Sequence, residues 1–490
     1  MSGKHQAEVP SATVKFPHRS RRGVLLGLTA PQLLAAGLTG LLLLAVILAR
    51  GVVGALALIP LWAVIALFVF VRHRGRALAD WTPIVVRYAL RRMRGQLLWL
   101  TRPSRRPTRE GLLHLPGTAA SLLVATAPDG QHGAVHDPHN GTLTAVVKVS
   151  SRAYALLDPG TQHANVSGWG RALAALARTG QIARIQVIER TVPDSGDSLR
   201  RYWEEHGRSD TPVAGAIYNE LIQSAGPAAA PHEAYVALAL DTKAARRLIN
   251  QAGGGLTGAF SVLAQLTSTF EQAARTAGLN PTGWLTAREI AAVVRTAYDP
   301  KALASLDRWS ATGRPEAEPT AAGPVVVVEK ADHIATDSAV HATYWVENWP
   351  RTETSAGFLH QLLFTGGVRR TLSLSYEPKG LDAALRDVQR RKASVIADAA
   401  ERARRGQVDS EADSIEYQDI KARERQLIAG HADVALTGLL TVSADSEEEL
   451  RTACAVVETA AVGAQLDLRL LTWQQAEAFT AAALPLALAA

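Results

Sequence analysis

The sequence predicts an α+β fold: an N-terminal two-helix transmembrane hairpin followed by ferredoxin-like α/β subdomains and a charged helical arm. Three observations carry that expectation. Two long apolar runs, split only by Arg50 and Gly51, lie near the N-terminus. Strand-like and helix-like periodicities then alternate from residue 122 to residue 471. Residues 381–428 are dominated by Ala, Arg, Glu, Asp and Lys with few aromatics, the composition of long exposed helices.

The hairpin organises the rest. Residues 52–71 carry no charge, and 20 residues at about 1.5 Å each cross a hydrocarbon core of about 30 Å. Residues 33–49 form a first run at the short limit, which residues 24–28 extend if Pro31 and Gln32 are absorbed as a kink. Neither run offers a polar face, which argues against a buried hairpin of a soluble core. Lys15, Arg19, Arg21 and Arg22 precede the hairpin and a further basic cluster follows it, while the connection carries only Arg50. The basic residues therefore place both termini on the cytoplasmic side of a multi-pass protein of the cytoplasmic membrane. A second span directly behind the first argues against a cleaved signal peptide. Residues 1–23 form a cytoplasmic tail, of which 1–20 are polar, aperiodic and expected to be disordered.

After residues 24–71, the segment 72–110 interleaves basic side chains with Trp81, Tyr88, Leu90, Met93, Leu97, Leu98 and Trp99. The spacing predicts a basic amphipathic helix on anionic lipid headgroups, with Arg72, Arg74, Arg76, Trp81, Arg87, Arg91, Arg92 and Arg94 at the membrane interface. Charge supports the lipid partner. The chain has a net charge of +7, yet residues 1–110 alone carry +14 and the remainder −7. The basic character belongs to the membrane neighbourhood and argues against direct nucleic-acid binding. Cys454 is the single cysteine, which excludes an intrachain disulfide and a thiolate metal cluster and suits a reducing compartment.

Residues 111–300 read as a first α/β subdomain. Strands are expected at 122–125, 133–136 and 143–150, then a helix at 161–179 and a strand at 182–189. Helices at 199–206 and 211–224, a strand at 233–241 and helices at 242–251, 260–277 and 286–298 follow. A second subdomain, 301–380, has strands at 325–330, 344–348 and 370–376 around a helix at 357–363. The arm, 381–430, doubles back near 406–410, and 431–490 closes with strand 434–443, helix 446–461, strand 465–471 and a C-terminal helix. Ser446 is an N-cap, with Glu447, Glu448 and Glu449 complementing the helix dipole. The strand, helix, strand units show no obvious sequence repeat.

Chemistry is conspicuous by what is missing from the sequence. There is no G-x-x-x-x-G-K-[ST] stretch, so the chain supplies no P-loop motor. Residues 253–258 satisfy G-x-G-x-x-G without the preceding strand that a dinucleotide site requires, and read as a loop. His132, His136 and His139 share no fixed face, and Glu204, Glu205, His206 and Asp210 read as a solvated helix end. No nucleophile, base and electrostatic stabiliser come together, so the expectation is a non-enzyme with no cofactor and no metal.

The order of parts then becomes recognisable. It includes Arg288-Glu289-Ile290-Ala291-Ala292-Val293-Val294-Arg295-Thr296-Ala297-Tyr298-Asp299-Pro300 and the closing Trp473-Gln474-Gln475-Ala476-Glu477-Ala478-Phe479-Thr480-Ala481-Ala482-Ala483-Leu484-Pro485-Leu486. Over residues 24–490 the chain resembles actinobacterial inner-membrane proteins of conjugative, type IV-like secretion. The resemblance implies a small two-span subunit fused to the N-terminal platform domain of a conjugation ATPase, without the motor. It would be a non-catalytic scaffold, a homo- or hetero-oligomer that anchors a separate ATPase among other inner-membrane secretion subunits. Component E of type VII systems also resembles a two-span hairpin with a cytoplasmic domain, and is the alternative within secretion. A membrane-tethered enzyme is the alternative outside it.

Overall fold

The computed structural model describes residues 13–14, 16, 30–73, 76–101, 110–151, 154–192, 203–207, 212–225, 231–311, 317–404, 406, 411–429 and 432–489. Its N-terminal helices are α1 (Ala30–Ala57) and α2 (Ile59–Phe70). Helical geometry fails at Gly51 (φ 69°, ψ −175°), the point at which the sequence separates its two apolar runs. Glycine accepts that positive φ without a Cβ clash. Among the described residues one helical stretch, Gln32–Leu56, reaches spanning length, with the Gly51 break near its end, a mean hydropathy of 2.3 and only 6% of its apolar window buried. An apolar helix left exposed on all sides has lipid as its natural surrounding. The second run ends in α2, whose 12 residues are too few to span alone.

Thirteen of the described strands join in one sheet, and every pair is antiparallel. In chain order they are β1 (Leu98–Leu100), β2 (Leu123–Thr126), β3 (Gly133–Asp137), β4 (Thr142–Ser151), β5 (Ile182–Thr191), β6 (His232–Asp241) and β7 (Leu279–Trp284). Then come β8 (Val326–Glu329), β9 (Ile334–Ala335), β10 (Val340–Asn348), β11 (Arg369–Lys379), β12 (Asp433–Ala444) and β13 (Asp467–Leu470). Across the sheet the order is β1-β8-β9-β10-β12-β11-β5-β6-β4-β3-β2, with β7 added to β4 and β13 to β10.

That order contains the same arrangement twice. In one half the strands lie β7-β4-β6-β5, in the other β13-β10-β12-β11. Each half is a split strand-helix-strand design: the last strand sits beside the first, and the third pairs the first on its other edge. In each half a preceding strand, β3 or β9, shares the outer edge of the first strand with the last. The halves meet where their second strands pair, from Thr371↔Arg190 to Tyr376↔Ile185. The duplication is absent from the sequence pattern and plain in the topology. It also weaves together 301–380 and 431–490, because β10 pairs with both β12 and β13.

Helices cover both faces. On one face α4 (Pro159–Arg178) and α5 (Gly255–Thr276) bury Leu173, Leu176, Phe260, Leu263 and Phe270 against the first half. On the opposite face α6 (Ala287–Tyr298) follows β7 and packs Ile290, Val293, Val294 and Tyr298 against Tyr235, Ala237 and Ala239. Its start is a full capping box: Thr286 Oγ1 accepts from Glu289 N, and Thr286 N donates to Glu289 Oε2. The arm is two helices, α7 (Leu381–Arg404) and α8 (Glu411–Ile428), inserted between β11 and β12. They share a small core of Ala384, Val388, Val395, Ile420 and Leu427. Behind β12, α9 (Glu447–Gly463) starts from Ser446, whose hydroxyl accepts from Glu449 N. It fills the second half with Leu450, Val457 and Ala461. The chain closes with α10 (Gln475–Ala483), on the same face as α6.

Several expectations need correction. The stretch 72–110 is not one helix: α3 (Leu78–Met93) ends in turns, and Leu98–Leu100 pairs with Val326–Val328 as β1. Residues 242–245 are a turn closed by the Asp241 carboxylate on Lys243 N and Ala244 N, so helix begins only at Arg246. Residues 279–284 pair with β4 despite Pro281 and Gly283, which sit at a bulge. The tail is not all disordered. Thr13 and Val14 pair antiparallel with Ser355 and Thr354, and Phe16 stacks on Trp349 at 4.9 Å.

Candidate membrane-proximal interface

The first structured piece after the apolar segment is α3, and its sequence explains its helix. Asp80 lies in the first turn and Arg91 and Arg92 in the last, as the helix dipole favours. The helix is amphipathic, and Ala79 and Trp81 are buried.

The face that α3 turns inward meets the C-terminal helix and β8. Trp81 packs edge-on against Trp473, ring centres 5.5 Å apart. Arg87 Nη2 donates to Glu477 Oε1 at 2.5 Å, and Arg91 Nη2 to Glu329 Oε2 at 2.5 Å. Glu329 is 4% exposed and its second oxygen accepts from Ala476 N, so one carboxylate holds both α3 and the N-terminus of α10. Burial raises the Glu329 pKa, and the Arg91 guanidinium acts in the opposite direction. Beside these ion pairs a cavity of about 800 Å³ runs between α3 and the sheet, lined by Val86, Leu90, Arg94, Leu98 and Trp99 among others.

The membrane-interface residues read from the sequence thus divide. Trp81, Arg87 and Arg91 take partners in the soluble part of the chain; Arg92 and Arg94 are exposed. Arg74 lies outside the described residues, and Arg72 and Arg76 are described only as backbone in a short hairpin. Sequence reasoning missed Glu329, Trp473 and Glu477 as the receptors of α3. The available signal was the tail motif, which contains two of the three.

α10 also stitches the two halves of the sheet together. Gln475 bonds both the N–H and the C=O of Thr343 on β10. At the seam, Gln186 Nε2 donates to Ser373 Oγ and Ala481 O, while its Oε1 accepts from Ala487 N. Tyr298 of α6 lies against Phe479 of α10, ring centres 5.1 Å apart. Nearby, buried Arg190 donates to Glu233 Oε2, Val293 O and Thr296 Oγ1 and lies over the Tyr235 ring. Burial would push Glu233 up, but the charges of Arg190 and Lys148 outweigh it and hold the carboxyl down at about 2.

The other polar groups singled out in the sequence do not converge. His132 Nδ1 contacts Asp129 and its ring lies 4.8 Å from Trp284. His206 is 4.0 Å from Glu205 on an exposed helix end, and Asp210 is outside the described residues. Among the described residues no group of three or more His, Cys, Asp or Glu is placed to hold a metal. The 253–258 glycines give α5 its entry, with positive φ at Gly253, Gly254 and Gly255, and a Cβ at Gly258 would strike the Ile249 carbonyl. They follow the helix Arg246–Gln251, so their work is close backbone packing.

Residues 228–346 match a known protein family. The family model is described as "EccE: Putative type VII ESX secretion system translocon, EccE". The match covers about a quarter of the chain, from the approach to β6 through most of β10, and includes α6 and Glu329. No curated protein matches the chain. Of the two secretion readings, the similarity to EccE supports component E of a type VII translocon better than the conjugation platform.

Proposed function

We propose that the chain is a non-catalytic membrane scaffold of a type VII secretion translocon, in the place of component E. The single observation that carries this reading is the EccE match, lying in a platform that follows an exposed apolar helix of spanning length. Acting as a scaffold requires surface and anchorage, and the anchorage is built as α3 is: one aromatic pair and two ion pairs clamp the juxtamembrane helix to the platform.

Two features support the finer reading of a two-span protein with both termini cytoplasmic. The contact of Phe16 with Trp349 favours one compartment for the segment before the apolar runs and the platform after them. On that reading the chain between them crosses an even number of times, out through the first run, 33–49, and back through the second, 52–71, with the break in helical geometry at Gly51 between them. The basic flanks put that compartment in the cytoplasm. Each half of the sheet is read as a ferredoxin-like unit, by its strand order. The partners proposed are the other membrane subunits of the translocon, a separate ATPase, anionic lipid headgroups at Arg92 and Arg94, and further copies of the chain.

Purification of the tagged full chain from mildly solubilised membranes tests the reading. Co-elution with the membrane subunits of a type VII translocon is expected. Co-elution with a conjugation ATPase instead, or migration of the chain alone, would overturn it.

A further inference from the structure

The N-terminal segment is docked beside β10 and β12 by three features that have no need of each other. Thr13 and Val14 pair in antiparallel register with Ser355 and Thr354. Val14 and Phe16 alternate with Lys15, the two-residue period of a strand with one apolar side. Phe16 then enters a cleft in which Trp349 stacks on it at 4.9 Å and 19° and Phe358 meets it edge-on at 5.5 Å. The cleft floor is made for this. Trp349 lies across Gly438 of β12 so closely that a Cβ there would stand 2.7 Å from the indole ring. Only a glycine at that position lets Trp349 lie flat and present its other face.

We propose that the Trp349–Phe358 cleft, edged by Thr354–Ser355, is a binding site for an extended peptide carrying an aromatic side chain, and that its occupant is this chain's own segment from Thr13 to Phe16. The recognition combines strand addition with an aromatic pocket. Its consequence is mechanical. From Phe16 to Ala30 the chain advances 14 residues, a reach of at most about 50 Å. The platform is tied to the membrane segment at the cleft by this N-terminal segment, and at β8 and α10 by α3, through Trp81, Arg87 and Arg91. Two tethers on different elements hold the platform at one attitude to the bilayer, where one alone would leave it free to swing. The inference rests on the docking contact and the membrane segment, and it stands whichever secretion system the chain serves.

Disulfide trapping in the full-length chain, reconstituted in lipid nanodiscs, tests it. Cys454→Ala removes the native thiol, and Val14→Cys with Thr354→Cys places two thiols at directly paired positions. Mild oxidation is expected to give an intramolecular disulfide in the monomer. Adding Phe16→Ala should lower the rate of trapping about tenfold, the effect of losing roughly 1.4 kcal/mol of aromatic contact. Phe16 precedes both apolar runs, so an unchanged thermal unfolding curve separates loss of docking from loss of fold. A disulfide between two copies, absence of trapping in the folded protein, or trapping indifferent to Phe16→Ala would each overturn the proposal.

Discussion

At the scale of single residues, acid sensitivity is written into a half-buried carboxylate and a buried histidine. Glu233 is held at about 2 against an ordinary 4.5, because the charges of Arg190 and Lys148 overcome its burial. A depressed carboxylate contributes stability above its unfolded value, and that stability is lost as pH falls from about 4.5 toward 2. Glu233→Gln strands the Arg190 guanidinium and should cost about 3 kcal/mol at pH 7 in a denaturant titration. His341 is set between Thr336 Oγ1 at 3.0 Å and Ser443 Oγ at 2.7 Å, with its ring against Phe479. Burial holds it neutral, its pKa lowered to about 3. Its contribution is present above about 6.5 and lost as pH falls toward 3, the unfolded chain taking up the proton first. His341→Gln should therefore flatten the pH dependence of stability between pH 6.5 and 4, measured as the denaturation midpoint.

At the scale of elements, the test falls on α3. Its retention depends on Glu329, a buried carboxylate that serves Arg91 and Ala476 together. Glu329→Gln removes the charge-assisted bond, worth about 1.5–3 kcal/mol. Amide exchange across 83–93 should then speed up by about 10- to 100-fold, with exchange in β4 to β6 unaltered. The same element shows why the sequence was only partly readable. Apolar and basic residues alternate through 72–110 at near-helical spacing, but Gly95 at φ 67° ends the helix, and Trp99 faces a partner strand more than 200 residues away. The 3.6 period of α6 and its Thr286–Glu289 box were legible because both signals are local. β7 was not, because Pro281 and Gly283 mark a loop unless a neighbouring strand accommodates a bulge. The receptors of α3 were hidden for the same reason: Glu329 looks like the end of a valine strand until α3 is laid against it.

For the whole molecule, the organising facts are one exposed apolar segment, one sheet built twice and one helix, α10, that binds the halves. The strand types and most boundaries could be read from alternation and turn residues. Pairing could not, since β5 meets β11 about 190 residues later and no local pattern records that. The duplicated order emerged only when pairing was known. For the membrane segment, Val64→Asp near the middle of the second run should cost about 2.5–3.5 kcal/mol of insertion. It should shift the chain toward the soluble fraction in a carbonate extraction.

The central claim is that this chain serves a type VII translocon as an anchored scaffold, and export measured in living cells addresses it most directly. In cells lacking the chain, type VII substrates should be synthesised and retained. Export should return with the full-length chain and should not return with a version that begins at Leu78 and lacks the apolar segment. Undiminished export without the chain, or full rescue by the unanchored platform, would contradict the account.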